Sequence, residues 1–183
     1  VEDAGAFEKA RKVKGSDEAH AYAGLEAEVL LLGYGGGAET FLRSAKVYGI
    51  DPDLLNAKRI VHAFREGRPK VVGLWRELER EWRMAYSCGH NPILLPLPSG
   101  RHLRYFNPRI TDREAHARTS LDARLPSKIY GGLLTENWVQ ASARDVLADM
   151  LLRLSRYDWL TPLMTVHDEI LFEVDDHRAD EGL

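Results

Sequence analysis

Two carboxylates stand side by side at Asp168 and Glu169, directly after His167, and the runs on either side, Thr161 to Val166 and Ile170 to Val174, are β-prone. This pattern predicts an antiparallel hairpin with three polar side chains at its tip. Adjacent carboxylates repel each other, and a bound cation relieves that repulsion. An ordinary solvated turn is the alternative. Upstream, Gln140 and Arg144 lie four residues apart, which puts both on one face of a helix. An amide beside a guanidinium suits a ligand rich in hydrogen-bond acceptors, and a plain polar helix face is the competing reading. The third group is electrostatic. Between Arg101 and Lys128, six arginines and one lysine stand against Asp112, Glu114 and Asp122, a local charge of +4 with His102 and His116 beside it. Such a stretch suits phosphate, although charge runs are often only solvated faces. The far end is acidic: Asp168, Glu169, Glu173, Asp175, Asp176, Asp180 and Glu181 are opposed only by Arg178.

The whole chain bounds these readings. Its net charge of −3 over 183 residues argues against a general nucleic-acid binder, so the basic stretch matters more than the total. With 44% hydrophobic and 29% charged residues it can bury a core in one domain or two small ones. The single cysteine, Cys88, excludes an internal disulfide and a cysteine-based zinc site, and is most simply an unpaired thiol. No apolar run approaches membrane-spanning length, and Val1-Glu-Asp-Ala has neither the basic region nor the apolar stretch of a signal peptide. The expected location is the cytoplasm.

Helices are expected first and strands later. Phe7 to Leu32 is alanine-rich and helix-compatible, and Gly33-Tyr-Gly-Gly-Gly37 ends it. A second helix covers Ala38 to Tyr48, and a third opens at Asp51-Pro52 and runs through Arg65 to a stop at Gly67. From Lys70 to Tyr86, Val72, Trp75, Leu78 and Trp82 make one apolar stripe, with Arg76, Glu77, Arg80 and Glu81 outside it. Ile93 to Pro98 pairs with His102 to Phe106 as a hairpin, while Asn107 to Pro126 is polar and unassigned. Ser127 to Leu134 reads as a strand. Thr135 reads as the N-cap of a long helix through Tyr157, with Val139, Ala143, Val146, Met150 and Leu154 on its buried side.

Four of these segments, in order and covering roughly residues 25 to 175, resemble the family A DNA polymerases, the polymerase I class, in their phage-type branch. Val166-His-Asp-Glu-Ile170 resembles motif C of the palm. Thr135-Glu-Asn-Trp-Val-Gln-Ala-Ser-Ala-Arg-Asp-Val-Leu147 resembles the palm helix along the template–primer minor groove, and Leu97-Pro-Ser-Gly-Arg-His-Leu-Arg-Tyr105 the hairpin before it. Leu32-Gly-Tyr-Gly-Gly-Gly37 resembles the end of the fingers helix, motif B, and Val71-Val-Gly-Leu-Trp75 fits the connecting helix. The resemblance implies an α+β chain: a helical fingers-like region with a basic hairpin over residues 1–125, then part of a polymerase palm with its antiparallel hairpin over 126–183.

It also implies roles. Template-directed DNA synthesis uses Mg²⁺ or Mn²⁺ held by carboxylates, and Asp168 is the expected metal ligand and catalytic residue, with Glu169 beside it as a supporting catalytic carboxylate. His167 resembles the primer-terminus contact. Gln140 and Arg144 would meet the purine N3 and pyrimidine O2 acceptors that every base pair presents in the minor groove. Arg101 and Arg104 would contact phosphates, and Tyr34 would stack against the nascent base pair or template base. Implied partners are primer–template DNA and deoxynucleoside triphosphates, in a bacterial or phage-infected cell.

The chain departs from the pattern at two places. Glu26 and Tyr22 occupy the positions where motif B carries the lysine and arginine that meet the triphosphate, and an acid there repels it. Nothing in Val1 to Tyr22 resembles motif A, whose aspartate is the second metal ligand. The expectation is a C-terminal or split portion of such a polymerase; if split, a second polypeptide brings motif A. A non-catalytic DNA-binding subunit and a degenerate remnant are the alternatives.

Overall fold

The computed structural model describes residues 31–47 and 56–178. The expected helix from Phe7, the Asp51-Pro52 start, Glu26, Tyr22 and the Val1 to Tyr22 segment that lacks motif A all fall outside the described residues. Within them, helices and antiparallel strands combine as an α+β fold. A 3₁₀ turn at Leu32–Tyr34 leads to α1 (Ala38–Val47), α2 (Ala57–Gly67) and α3 (Pro69–Ser87). Next come β1 (Ile93–Pro96), β2 (His102–Thr111), β3 (Glu114–Arg118) and β4 (Ser127–Ile129). Helix α4 (Gly131–Leu154), then β5 (Thr161–Val166), β6 (Glu169–Glu173) and a 3₁₀ turn at Asp176–Arg178 complete the order. The chain divides into two compact units, described separately. One draws its described residues from Val1–Leu95 and Arg104–Glu136, the other from Pro96–Leu103 and Asn137–Leu183.

In the first unit, α2 is capped by Asn56, whose side-chain oxygen accepts the Arg59 N–H at 3.0 Å. Helix α3 starts on Pro69 and buries Trp75, Leu78 and Trp82, the stripe that its spacing predicts. Cys88 follows as a free, exposed thiol. The sheet runs in the order β1-β2-β3-β4. Its core face carries Ile93, Leu95, Tyr105, Ala115, Ala117 and Ile129, all essentially inaccessible. The unassigned stretch from Asn107 to Pro126 therefore holds the second half of β2 and all of β3. Its pattern is obscured by a bulge between Phe106 and Arg109, which interrupts the alternation that marks a strand.

The expected strand from Ser127 to Leu134 is only three residues long, because α4 begins at Gly131. Glu79 of α3 explains the early start: its carboxylate accepts the Gly131 N–H at 3.1 Å and so satisfies one of the donors left open at a helix N-terminus. Thr135 is accordingly not the cap. It is buried inside the helix, where its Oγ1 donates to the Gly131 carbonyl at 2.9 Å.

In the second unit, α4 turns a different face inward than expected. Trp138 Nε1 donates to the Pro96 carbonyl at 2.9 Å, and Asp145 accepts from Ser99 Oγ and from Arg101 Nε at 2.6 Å. The 96–101 turn is thus pinned to the side of the helix that carries residues 138 and 145. Val139, Val146 and Met150, expected on the buried side, are exposed. The reason is that polar and apolar side chains are spread around α4 almost evenly, so periodicity alone does not choose its inner face. Strands β5 and β6 pair antiparallel with Val166 opposite Glu169, so the tip holds two residues, His167 and Asp168, and Glu169 already belongs to β6. No helix among the described residues is long and apolar enough to cross a membrane.

Candidate functional site

Residues three and four apart on α4 line one wall of a cleft in the second unit, and the β5–β6 tip supplies the other. The cleft has a volume of about 720 Å³. Gln140, Ala143, Arg144, Val146, Leu147 and Met150 come from the helix, and His167 and Asp168 from the hairpin. Four residues singled out in the sequence, Gln140, Arg144, His167 and Asp168, are therefore brought together, although 23 positions separate Arg144 from His167. Ala143, Val146 and Met150 of the wall belong to the stripe expected on the buried side, and Leu147 joins them. A two-residue turn makes the tip possible: His167 sits at φ +54°, in the left-handed region that histidine enters more readily than most residues. Asp168 is exposed and has no hydrogen-bond or ion-pair partner among the described residues. Glu169 lies outside the lining of the cleft.

Beside the cleft, Asp145 organises the electrostatics. The Ser99 hydroxyl above all, with help from the Arg101 guanidinium and the Arg144 charge, holds its carboxyl below the usual aspartate range against the opposing effect of burial. Arg101 is consequently committed to Asp145 through Nε and Nη2. Sequence reasoning misses Asp145. Its signal is an acid directly after Arg144, seven residues from Trp138 and so on the same helix face.

Arg104 and Tyr34 belong to the first unit. Arg104 is exposed on β2. Tyr34 closes the 3₁₀ turn, and the Trp75 indole N–H fixes that turn by donating to the Gly33 carbonyl at 2.9 Å. A methyl group on Gly132 would overlap the Tyr34 carbonyl oxygen, so the close approach of this turn to the start of α4 requires glycine there.

Mg²⁺ is ordinarily held by one or two protein carboxylates together with phosphate oxygens and water. Asp168 fits as one such ligand. No group of three His, Cys, Asp or Glu side chains that could hold a metal occurs among the described residues.

No family model matches the chain, and no solved structure does. A similar protein is the DNA polymerase of Bacillus phage SP02, 30% identical over 168 residues that make up 79% of this chain and 26% of that polymerase. The chain spans about a quarter of the length of the relative it matches and is related in sequence to a phage DNA polymerase.

Proposed function

We propose that the chain is a portion of a family A, phage-type DNA polymerase that acts in template-directed DNA synthesis, with α4 and the β5–β6 tip holding the primer–template end. The observation that carries this reading is the convergence of Gln140, Arg144, His167 and Asp168 on one cleft. The relationship to the phage polymerase supports it. Gln140 and Arg144 donate to purine N3 and pyrimidine O2, which accept hydrogen bonds whatever the sequence, as copying a template demands. His167 meets the primer terminus, and Tyr34 stacks at the nascent pair. Arg104 contacts phosphate, and Arg101 is held by Asp145 for the same purpose. When bound, Mg²⁺ or Mn²⁺ would stabilise charge in phosphoryl transfer from a deoxynucleoside triphosphate. Asp168 contributes one ligand with Glu169 alongside, and a second polypeptide supplies the motif A carboxylate. In this reading residues 1–125 are fingers-like and 126–183 are palm.

A non-catalytic DNA-binding role is the alternative reading. A degenerate remnant would bind no DNA at all. Two measurements on the pure chain separate these readings. Primer–template binding should be detectable and should weaken roughly tenfold in a Gln140→Ala/Arg144→Ala variant, which loses two hydrogen-bonding groups. Primer extension in Mg²⁺ should be absent without a partner. Unchanged binding by the variant would remove the cleft from the reading, and extension by the chain alone would refute the need for a second polypeptide.

A further inference from the structure

The solvent face of β2, β3 and β4 is a built surface. Arg109 stands opposite His116, and His116 opposite Lys128, so one row of basic side chains crosses all three strands. Strands lie about 4.8 Å apart, so the row spans roughly 10 Å. Arg118, two residues along β3 from His116, shares the face and stands opposite Phe106. The other face holds Tyr105, Ala115, Ala117 and Ile129, each no more than 2% exposed.

Two backbone features put cations on this face. Phe106 and Arg109 are three residues apart, yet they oppose Arg118 and His116, which are two apart. In a regular strand an odd separation would send Arg109 to the core side with Tyr105. An extra residue prevents this: Asn107 bends the strand at φ +49°, and its N–H is held by Asn91 Oδ1 at 3.0 Å. The bulge thus re-aims Arg109 outward. The β2–β3 hairpin then closes through Asp112 and Arg113 at φ +50° and +69°, a type I′ turn whose second position favours glycine. An arginine there keeps a cation at the end of the face against its backbone preference.

The charges are also available. Arg109 and Arg113 are exposed and have no ion pair among the described residues, whereas Arg118 is half-buried with its Nε enclosed. Against them stand Asp112 in the turn and Glu114. Glu114 is already engaged by Lys128, which holds its carboxyl below the usual range, and lies 3.7 Å from His116. No large apolar side chain on these strands is strongly exposed, which suits a polyanionic backbone and not an apolar protein partner.

We propose that this face is a second binding surface for the phosphodiester backbone of DNA, centred on Arg109 and Arg113 with Arg118 and Lys128 beside them, and made of different residues from the cleft. It rests on the proposed function only in taking the nucleic acid to be DNA. The test measures fluorescence anisotropy of labelled single-stranded and duplex oligonucleotides with the full chain over a range of KCl. In an Arg109→Ala/Arg113→Gly variant, the slope of log K against log salt should fall by about 1.8 on duplex or about 1.4 on single strands, for two lost phosphate contacts. Whichever form responds identifies the strand bound. Melting temperature should not fall, because glycine suits the Arg113 conformation and Arg109 is exposed. If it does fall, Arg109→Ala alone carries the test with half the slope change, and Arg109→Lys should restore the native slope. An unchanged slope and affinity on both DNA forms would overturn the proposal. The Gln140→Ala/Arg144→Ala variant, measured in parallel, separates the two readings: loss only in the sheet variant upholds this surface and counts against the cleft, and loss only in the cleft variant does the reverse.

Discussion

Asp168 and Asp145 are both aspartates near the same cleft, and their surroundings give them opposite characters. Asp168 has no partner among the described residues, so its charge contributes little to stability while remaining free for a cation. Asp168→Asn should therefore melt at or slightly above the native temperature in chelator, whereas millimolar Mn²⁺ should raise the melting temperature of the native chain more than that of the variant. A variant that is destabilised and indifferent to metal would sink the ligand assignment. Asp145 is bound on several sides, and its folded-state pKa is lowered chiefly by the Ser99 hydrogen bond and then by Arg101. A depressed carboxylate stabilises the fold above its unfolded pKa and loses that contribution as pH falls through the lower folded value. The melting-temperature gap between native chain and Asp145→Asn should accordingly be widest near neutral pH and close below the ordinary aspartate range. A gap that stays constant into acid would rule out the ionised Asp145 contacts as its source.

Among the elements, α4 depends most on its neighbours. Its N-terminus lies where Glu79 accepts from Gly131, and Glu79 is in turn oriented by Arg83 at 2.9–3.0 Å. Gly131 and Gly132 pack against the Trp75 and Tyr34 carbonyls with no room for a methyl group. Gly132→Ala should thus destabilise by about 1–3 kcal/mol, even though alanine is the better helix former. Gly73, in α3, provides the contrast. A methyl group there would meet nothing within 4 Å, so Gly73→Ala should stabilise by about 0.5–1 kcal/mol. Urea unfolding of the two variants would measure both signs, and equal shifts would mean that close approach does not govern the Gly132 position.

At the scale of the whole molecule, burial is uneven. Leu134 is fully buried, whereas Leu163 and Leu171 on the β5–β6 hairpin are 62% and 44% exposed. Leu134→Ala should cost about 2–5 kcal/mol. Leu163→Ser/Leu171→Ser should change stability by less than about 0.5 kcal/mol, because these side chains meet little in this chain. A large loss from the hairpin pair would mean that its apolar side chains are covered.

The sequence by itself determined the local features. Spacing of three and four marked the buried stripe of α3, and two β-prone runs around His167 and Asp168 marked the final hairpin, because one amphipathic period or one polar tip is enough to define such elements. Gln140 and Arg144 could likewise be put on one helix face by counting. Tertiary structure alone decided which face of α4 turns inward, since its polar and apolar residues are spread around the helix and the Trp138, Ser99 and Arg101 contacts distinguish one face. It also decided where α4 begins, through a carboxylate 52 residues away, and how a bulge held by Asn91 reverses the parity of β2. Local periodicity reports what a segment prefers to bury. Which neighbour it is buried against depends on contacts between residues far apart in the chain, and no window of sequence contains both partners.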